Sequence, residues 1–303
     1  MSASTELDPT FVSLLADPRV TLRPPPPSLS MKDYRQRLDR PMAAVAGPAI
    51  WSVRSDETEA IRRRIYRPTA QTHGTILFFH GGGFVVGSLD THDALCRSLA
   101  AASGASVVAV EYRLAPEAPF PAACDDCRSA LQRVAGIEPG DIGKLAVCGD
   151  SAGGYLAAMT ALYAARQGIR IDALGLFYPV VAPACETESW RTLGADHMLT
   201  RDWMRWAWAS YLGDAGSLAA DVDLLRADLA SLPPTHIITA AFDPLRDEGE
   251  ALGAAIRTSG GVVTMTRYEG MIHGFASLPM LTPMADRAIT EMSRKLFVNN
   301  SVD

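Results

Sequence analysis

Residues 144–167 read KLAVCGDSAGGYLAAMTALYAARQ, and the stretch changes character at Ser151. Leu145, Ala146, Val147 and Cys148 form a short apolar run with the length of a buried strand. From Ser151 onward the chain is rich in Ala, with Leu156, Met159 and Leu162 or Tyr163 at helical spacing. Between strand and helix stands Gly149-Asp150-Ser151-Ala152-Gly153, a G-x-S-x-G pattern. A Ser at its centre, on a sharp turn, is pushed out above the sheet edge with a helix N-terminus beneath it. Gly149 and Gly153 fit where a Cβ would strike neighbouring backbone, and Gly154, Ala157, Ala158 and Ala161 let the helix lie close on the sheet. A Gly-rich turn that merely needs small residues would look the same over five positions. The rest of the chain decides between the two.

A chain of 303 residues is long enough to bury about three quarters of the surface that it exposes when unfolded, so it needs no staples. Hydrophobic residues at 48% and charged residues at 20% describe an ordinary globule. A formal charge of -6 argues against a nucleic-acid surface, which needs clustered Lys and Arg. No run of eighteen apolar residues exists and the first thirty residues lack the apolar core of a signal peptide, so a cytoplasmic location without a stable membrane anchor is expected. Five cysteines do not resemble a disulfide framework. Cys124 and Cys127 have C-x-x-C spacing but no second pair or nearby His, so no metal site is expected there and both read as small buried hydrophobes.

The first 49 residues read as an arm of two short helices. Asp8 with Pro9, and Ser30, are the expected caps, and Pro24 to Pro27 form a stiff spacer between the helices. Their apolar stripes are short, which favours packing on the protein's own body over a membrane. From about residue 50, strands and helices alternate. Ala60–Tyr66 reads as an outer antiparallel strand, and Thr75–Phe79, Ser106–Val110, Ala173–Tyr178, His236–Ala241 and Val262–Tyr268 as further strands. Helices are expected over 90–102, 121–135, 245–258 and 284–297. That order implies an α/β fold with a mostly parallel, doubly wound sheet and helices on both faces. Residues 50–182 and 214–303 would form the body, with 183–213 a Trp-rich insertion.

A nucleophilic Ser needs a base, a group that orients the base, and donors for an oxyanion. His80-Gly81-Gly82-Gly83-Phe84 follows an apolar run, and its glycines let the Gly82 and Gly83 N–H groups point into a site; Ala152 N–H completes the set. A nucleotide loop is disfavoured, because neither G-x-G-x-x-G nor G-K-[ST] fits. Among six histidines, His273 lies in a Gly-flanked loop just after a strand. His236 reads as structural, His80 as a brace for the glycine loop, and His73 and His92 as surface residues. Asp243 follows a strand and precedes Pro244, which on local grounds also reads as a helix cap. The order Ser151, Asp243, His273 favours the orienting role, because one of the known triad arrangements runs Ser, acid, His. Asp247 is the reserve.

At this point the chain resembles the hormone-sensitive-lipase family of α/β hydrolases, the bacterial esterase group. The matching stretches are 80–84 (HGGGF), 112–117 (YRLAPE), 149–154 (GDSAGG), 243–249 (DPLRDEG) and 273–275 (HGF). The resemblance implies an α/β-hydrolase fold with a helical cap built partly from the arm. It also implies hydrolysis of a neutral small-molecule ester by Ser151, His273 and Asp243, without metal or organic cofactor. An amidase or lactonase with the same triad is the alternative within the class. A non-catalytic binding protein on this fold is the alternative outside it, and the presence of His273 argues against that. Four of five tryptophans fall in the insertion, and Thr200 caps a helix to Leu212, with Leu199, Trp203, Trp206 and Tyr211 on one face. That stripe reads either as core or as a lid walling the acyl pocket, with Phe84, Trp203 and Trp206 the expected pocket residues. The natural ester and the formation of a homodimer are left open.

Overall fold

The computed structural model describes residues 6–57, 61–136, 143–218 and 222–297. Its strands are β1 (Ser52–Asp56), β2 (Arg63–Arg67), β3 (Gly74–Phe79), β4 (Ser106–Val110), β5 (Lys144–Asp150), β6 (Ala173–Phe177), β7 (Thr235–Phe242) and β8 (Val263–Ile272). Among the described residues they form one sheet in the order β1-β2-β4-β3-β5-β6-β7-β8. β1 and β2 pair antiparallel, β2 joins β4 antiparallel, and every later pairing is parallel. The helices are α1 (Pro9–Leu15), α2 (Met31–Ala43), α3 (Asp93–Ser103), α4 (Ala122–Ala135), α5 (Ala152–Gln167), α6 (Glu188–Leu193), α7 (Arg201–Leu212), α8 (Arg246–Thr258) and α9 (Met284–Phe297).

Strand side chains alternate between two faces, and each face has its own core. Leu77, Phe79, Val108, Val110, Leu145, Val147 and Leu176 join the cluster that α4, α5, α7 and α8 cover. Ile76, Phe78, Val107, Ala109, Ala146 and Cys148 point the other way, into the cluster covered by α3, α9 and Phe11 of α1. Burial on both sides explains why β3, β4 and β6 read as unbroken apolar runs rather than alternating ones.

Two strand readings change. The strand expected at the outside is flanked by another: β1, with Val53 its only apolar residue, covers β2 and is the true edge. So polar a segment carries no periodic signal, and Ala60, the expected start of β2, lies outside the described residues. β8 runs on to Ile272 instead of ending at Tyr268, through Gly270 at φ 72° and past a register irregularity opposite Ala240 and Phe242. Glycine at that φ looks like a break in sequence yet here continues the ladder.

The arm lies on the body. Asp8 caps α1 by accepting the Thr10 N–H, while its own N–H donates to the Gly270 carbonyl (3.0 Å) at the end of β8. Ser30 caps α2 as expected, accepting from Asp33 N–H. The described residues of 183–232 hold α6, the expected helix α7, which Thr200 caps through the Trp203 N–H, and short 3-10 turns.

Candidate active site

Ser151 sits between β5 and α5 at φ 54° and ψ -121°, a left-handed conformation that costs a non-glycine residue about 1–3 kcal/mol. The surroundings impose it. The Ser151 N–H donates to the Phe177 carbonyl (2.9 Å) and its carbonyl accepts from Val180 N–H (3.1 Å), so the end of β6 and the residues just after it hold the elbow. A Cβ on Gly149 would run into the Gly153 carbonyl, and one on Gly153 would run into the Phe79 carbonyl. These two glycines are required by close approach, as the sequence reading expects.

Three strand ends bring the acid and base to this serine. Asp243 follows β7 and His273 follows β8, the two strands next in order beyond β6. The His273 Nδ1 lies 2.7 Å from Asp243 Oδ2, and Nε2 lies 3.0 Å from Ser151 Oγ. Asp243 has no exposed surface, and its other oxygen accepts the Leu245 N–H (2.9 Å). A carboxylate only accepts, so Nδ1 carries the proton and Nε2 is left to accept the serine hydroxyl. The cap reading of Asp243 is not met, since Leu245 holds the N-cap position of α8 without a side-chain cap; one Asp243 oxygen ties the turn before α8 while the other faces the imidazole. Asp247, the reserve, accepts from Ser189 N–H (2.7 Å) and Arg246 Nε (2.8 Å) instead. Tyr178, at φ 35°, lays its ring against His273 with centroids 5.0 Å apart in a T-shaped contact.

The glycine loop faces the elbow across the β3–β5 pairing, where Phe79 is opposite Gly149. Gly82 (φ 120°), Gly83 (φ 56°) and Phe84 (φ 68°) are all left-handed, and Val85 and Val86 N–H both return to the Gly82 carbonyl (3.0 Å each). That tight turn absorbs the Gly82 carbonyl. Neither the Gly82 nor the Gly83 N–H donates to a hydrogen bond among the described residues.

A family model described as "alpha/beta hydrolase fold" matches residues 76–277. The chain belongs to that family. The hormone-sensitive-lipase resemblance carried by the five motifs agrees with this match. The carboxylic ester hydrolase LipN of Mycobacterium tuberculosis is 38% identical over 232 residues, 72% of this chain but only 61% of LipN. An ethyl acetate hydrolase of Pseudomonas putida is 31% identical over 287 residues, covering 86% of this chain and 88% of that protein. The solved structure of a hyperthermophilic esterase from Pyrobaculum calidifontis superposes with a TM-score of 0.87 at 35% identity, over 96% of this chain and 98% of that one.

Within this α/β-hydrolase fold the expected pocket residues divide. Phe84 has no exposed surface; it stacks on Tyr211 (4.1 Å between centroids) and meets Trp208 and Tyr155, so it belongs to an aromatic core and not to an open wall. Trp203 presses on the glycine loop so closely that a Cβ on Gly83 would fall 2.5 Å from its Cη2. Its Nε1 donates to Tyr34 Oη (2.6 Å), and Tyr34 in turn donates to the Arg23 carbonyl (2.7 Å), so α7 and the arm are joined above the loop. Trp206 is half-buried against Tyr34 (5.8 Å), one layer farther out. On the buried side of α7, Met204, Ala207 and Trp208 accompany Trp203 and Tyr211; Trp206 is not on the most buried face, contrary to expectation.

Several residues near the site were missed. His92, expected at the surface, is buried beside Asp150. Arg35 of α2 donates through Nε to the Val85 carbonyl (2.8 Å) and through Nη2 to the Ala115 carbonyl (2.9 Å), while Asp39 accepts the Gly87 N–H (3.1 Å). The arm thus holds the far end of the glycine loop. Glu248 is buried, accepting Val181 N–H (2.8 Å) and Trp190 Nε1 (2.7 Å), and burial pushes its carboxyl up to about 8. Its membership in the 243–249 motif was the one available signal. His80 braces the loop as expected, its Nδ1 2.8 Å from the Gly81 carbonyl, and burial together with the charge of His92 holds the ring down to about 3.

Proposed function

We infer that this chain is a serine carboxylesterase acting on neutral esters of short to medium acyl chains. Ser151 Oγ attacks the ester carbonyl as His273 Nε2 takes its proton, and Asp243 stabilises the imidazolium that forms. The tetrahedral oxyanion is received by the N–H groups of Gly82, Gly83 and Ala152, each such donor being worth about 10²–10³ in rate. Collapse expels the alcohol, which takes the proton from His273, and leaves an acyl-Ser151 ester. Water, deprotonated by the same nitrogen, then releases the acid and restores the serine. The observation that carries this reading is the single imidazole within hydrogen-bond reach of both Ser151 Oγ (3.0 Å) and a fully buried carboxylate (2.7 Å). Relatives named for carboxylic ester and ethyl acetate hydrolysis support the ester class.

The test is turnover of p-nitrophenyl esters from acetate to palmitate beside matching amides and lactones. Ser151→Ala should lower kcat on the activated esters by about 10⁴-fold or more with the fold intact. A variant that keeps a tenth of the wild-type rate sinks the assignment, and faster amide or lactone hydrolysis transfers the class to the alternatives.

A further inference from the structure

Behind the glycine loop lies a buried polar cluster that the triad does not use. Asp150, the residue before the nucleophile, directs its side chain at the glycine loop and accepts the Gly81 N–H at Oδ1 (2.8 Å). Any side chain at Gly81 would meet this carboxyl, since a Cβ there would fall 2.6 Å from Oδ2. His92, the residue preceding α3, approaches the same carboxyl from the other side, with Nε2 3.2 Å from Oδ1 and 3.3 Å from Oδ2.

Who holds the protons follows from the partners. On one side of the ring, Nδ1 meets Thr91 Oγ1 (2.8 Å), whose single hydrogen is directed to the Ser88 carbonyl (2.9 Å). The Thr91 hydroxyl is thereby tied into the 88–91 turn, which it also closes by accepting the Ser88 N–H (2.9 Å), and its remaining lone pair faces Nδ1 as an acceptor. On the other side, Nε2 faces both oxygens of a carboxylate, which also only accept. The Gly81 N–H lies 3.3 Å from Nε2 as well, but its bond to Asp150 Oδ1 is the shorter and takes that hydrogen. Both ring nitrogens are therefore donors, the state of a charged imidazolium.

We propose that His92 is a positioning residue, an imidazolium buried against Asp150 that keeps Asp150 ionised and thereby holds Gly81, and the Gly82 and Gly83 N–H groups after it, aimed at the oxyanion. The proposal rests on the esterase reading of Ser151. Charged and titratable groups facing the pair agree with it. Asp39 of α2 adds a second negative charge near His92, with Arg35 beside Asp39, and the nearby His80 ring (5.4 Å) stays neutral. Cys96, Cys148, Tyr112 and Tyr178 around Asp150 bring no charge, because burial raises each far above neutral pH. Burial by itself lowers His92, yet the charge and hydrogen bond of Asp150 outweigh it and the ring titrates above its ordinary value. Burial by itself likewise raises Asp150, but His92 holds it below the usual carboxylate range. The pair thus persists from below neutral pH upward and is lost as pH rises through the raised His92 value.

Two experiments test this on the full chain. In ¹⁵N-histidine NMR at pH 7, one imidazole should show both ring N–H protons and lose them in His92→Gln. In kinetics, His92→Phe should cut kcat roughly 10- to 100-fold, the scale of a small misplacement of the reacting geometry, while leaving KM unchanged. His92→Gln, which keeps one donor without the charge, should fall between and lack the alkaline decline of kcat that deprotonation of His92 gives the wild type. A neutral His92 at pH 7, or an unaltered kcat in both variants, overturns the proposal. If His92→Phe does not fold, the NMR and His92→Gln still decide. An inactive wild type with a doubly protonated His92 defeats the esterase reading, whereas an active one with a neutral His92 defeats this proposal alone.

Discussion

The strand ends that carry Ser151, Asp243 and His273 and the lid-like region of α2 and α7 are built in different ways. Each triad residue follows directly on a strand whose backbone is fixed by parallel neighbours, so the strand order largely sets their separations. The region above is joined by side chains from distant parts of the chain: Trp203 to Tyr34, Thr200 Oγ1 to the Leu22 carbonyl (2.6 Å), Arg35 to Val85 and Ala115. The lesson is a division of labour. Positions fixed by a ladder tolerate little error and suit bond-making groups, whereas contacts between side chains can be exchanged and suit selection of substrate.

The sharpest way to break this comparison is at the sheet. Asp243→Asn should lower kcat by roughly 10²- to 10⁴-fold with little change in Tm, because an amide favours the wrong tautomer of His273 while still accepting the Leu245 N–H. Asp247→Asn should leave kcat near wild type, since Asp247 serves Ser189 and Arg246. The reverse pattern of rates would move the orienting role to Asp247.

Above the site, Trp203 and Trp206 should separate. Trp203→Ala empties a buried site against Gly83 and leaves Tyr34 without its donor, so it should destabilise by about 3–5 kcal/mol and slow all esters alike. Trp206→Ala leaves that layer in place and should instead move the acyl-length optimum toward longer chains. Each newly accommodated methylene there would gain up to about fourfold in kcat/KM, from about 0.8 kcal/mol of burial. Denaturation curves with kcat/KM from acetate to palmitate measure both. An optimum that Trp206→Ala does not shift removes this residue from the pocket, and a wild-type profile still climbing at palmitate refutes a closed one.

The smallest effect concerns pH. Glu248 titrates near 8 when folded, because burial disfavours its anion, against a usual value of 4.5. The folded state then binds more protons between those values, and this group's contribution to stability declines as pH rises from about 4.5 to about 8. Glu248→Gln removes that slope. Its Tm should be lower overall, since the amide cannot accept from both Val181 and Trp190, but should vary less between pH 5 and 8. A variant whose Tm falls as steeply as wild type over that range contradicts the assignment.

Legibility tracked how local each cause is. The caps Asp8, Ser30 and Thr200 and the strand runs at 75–79 and 106–110 depend on neighbours within a few residues, and the elbow around Ser151 is readable from five consecutive positions although Phe79, Phe177 and Val180 hold it. β1 was not, since its polar residues become a strand only by pairing with β2. His92 looked like a surface residue because nothing near it in sequence reveals Asp150, 58 positions on. Phe84 and Trp206 were drawn into one pocket because both are large and apolar, a property that does not distinguish an aromatic core from a wall.

From its sequence alone this chain determined a mostly parallel α/β sheet, a serine on a strained elbow and a candidate base and acid in the right order, because periodicity, glycine sterics and chain order are properties of the chain itself. Tertiary structure alone decided that Asp243 rather than Asp247 faces His273, that Trp203 rather than Trp206 lies on the glycine loop, and that Asp150 and His92 meet behind it. Those outcomes depend on which side chains converge after strands distant in sequence have paired, and at 2.7–3.3 Å a hydrogen bond discriminates between positions that spacing along a chain leaves equivalent.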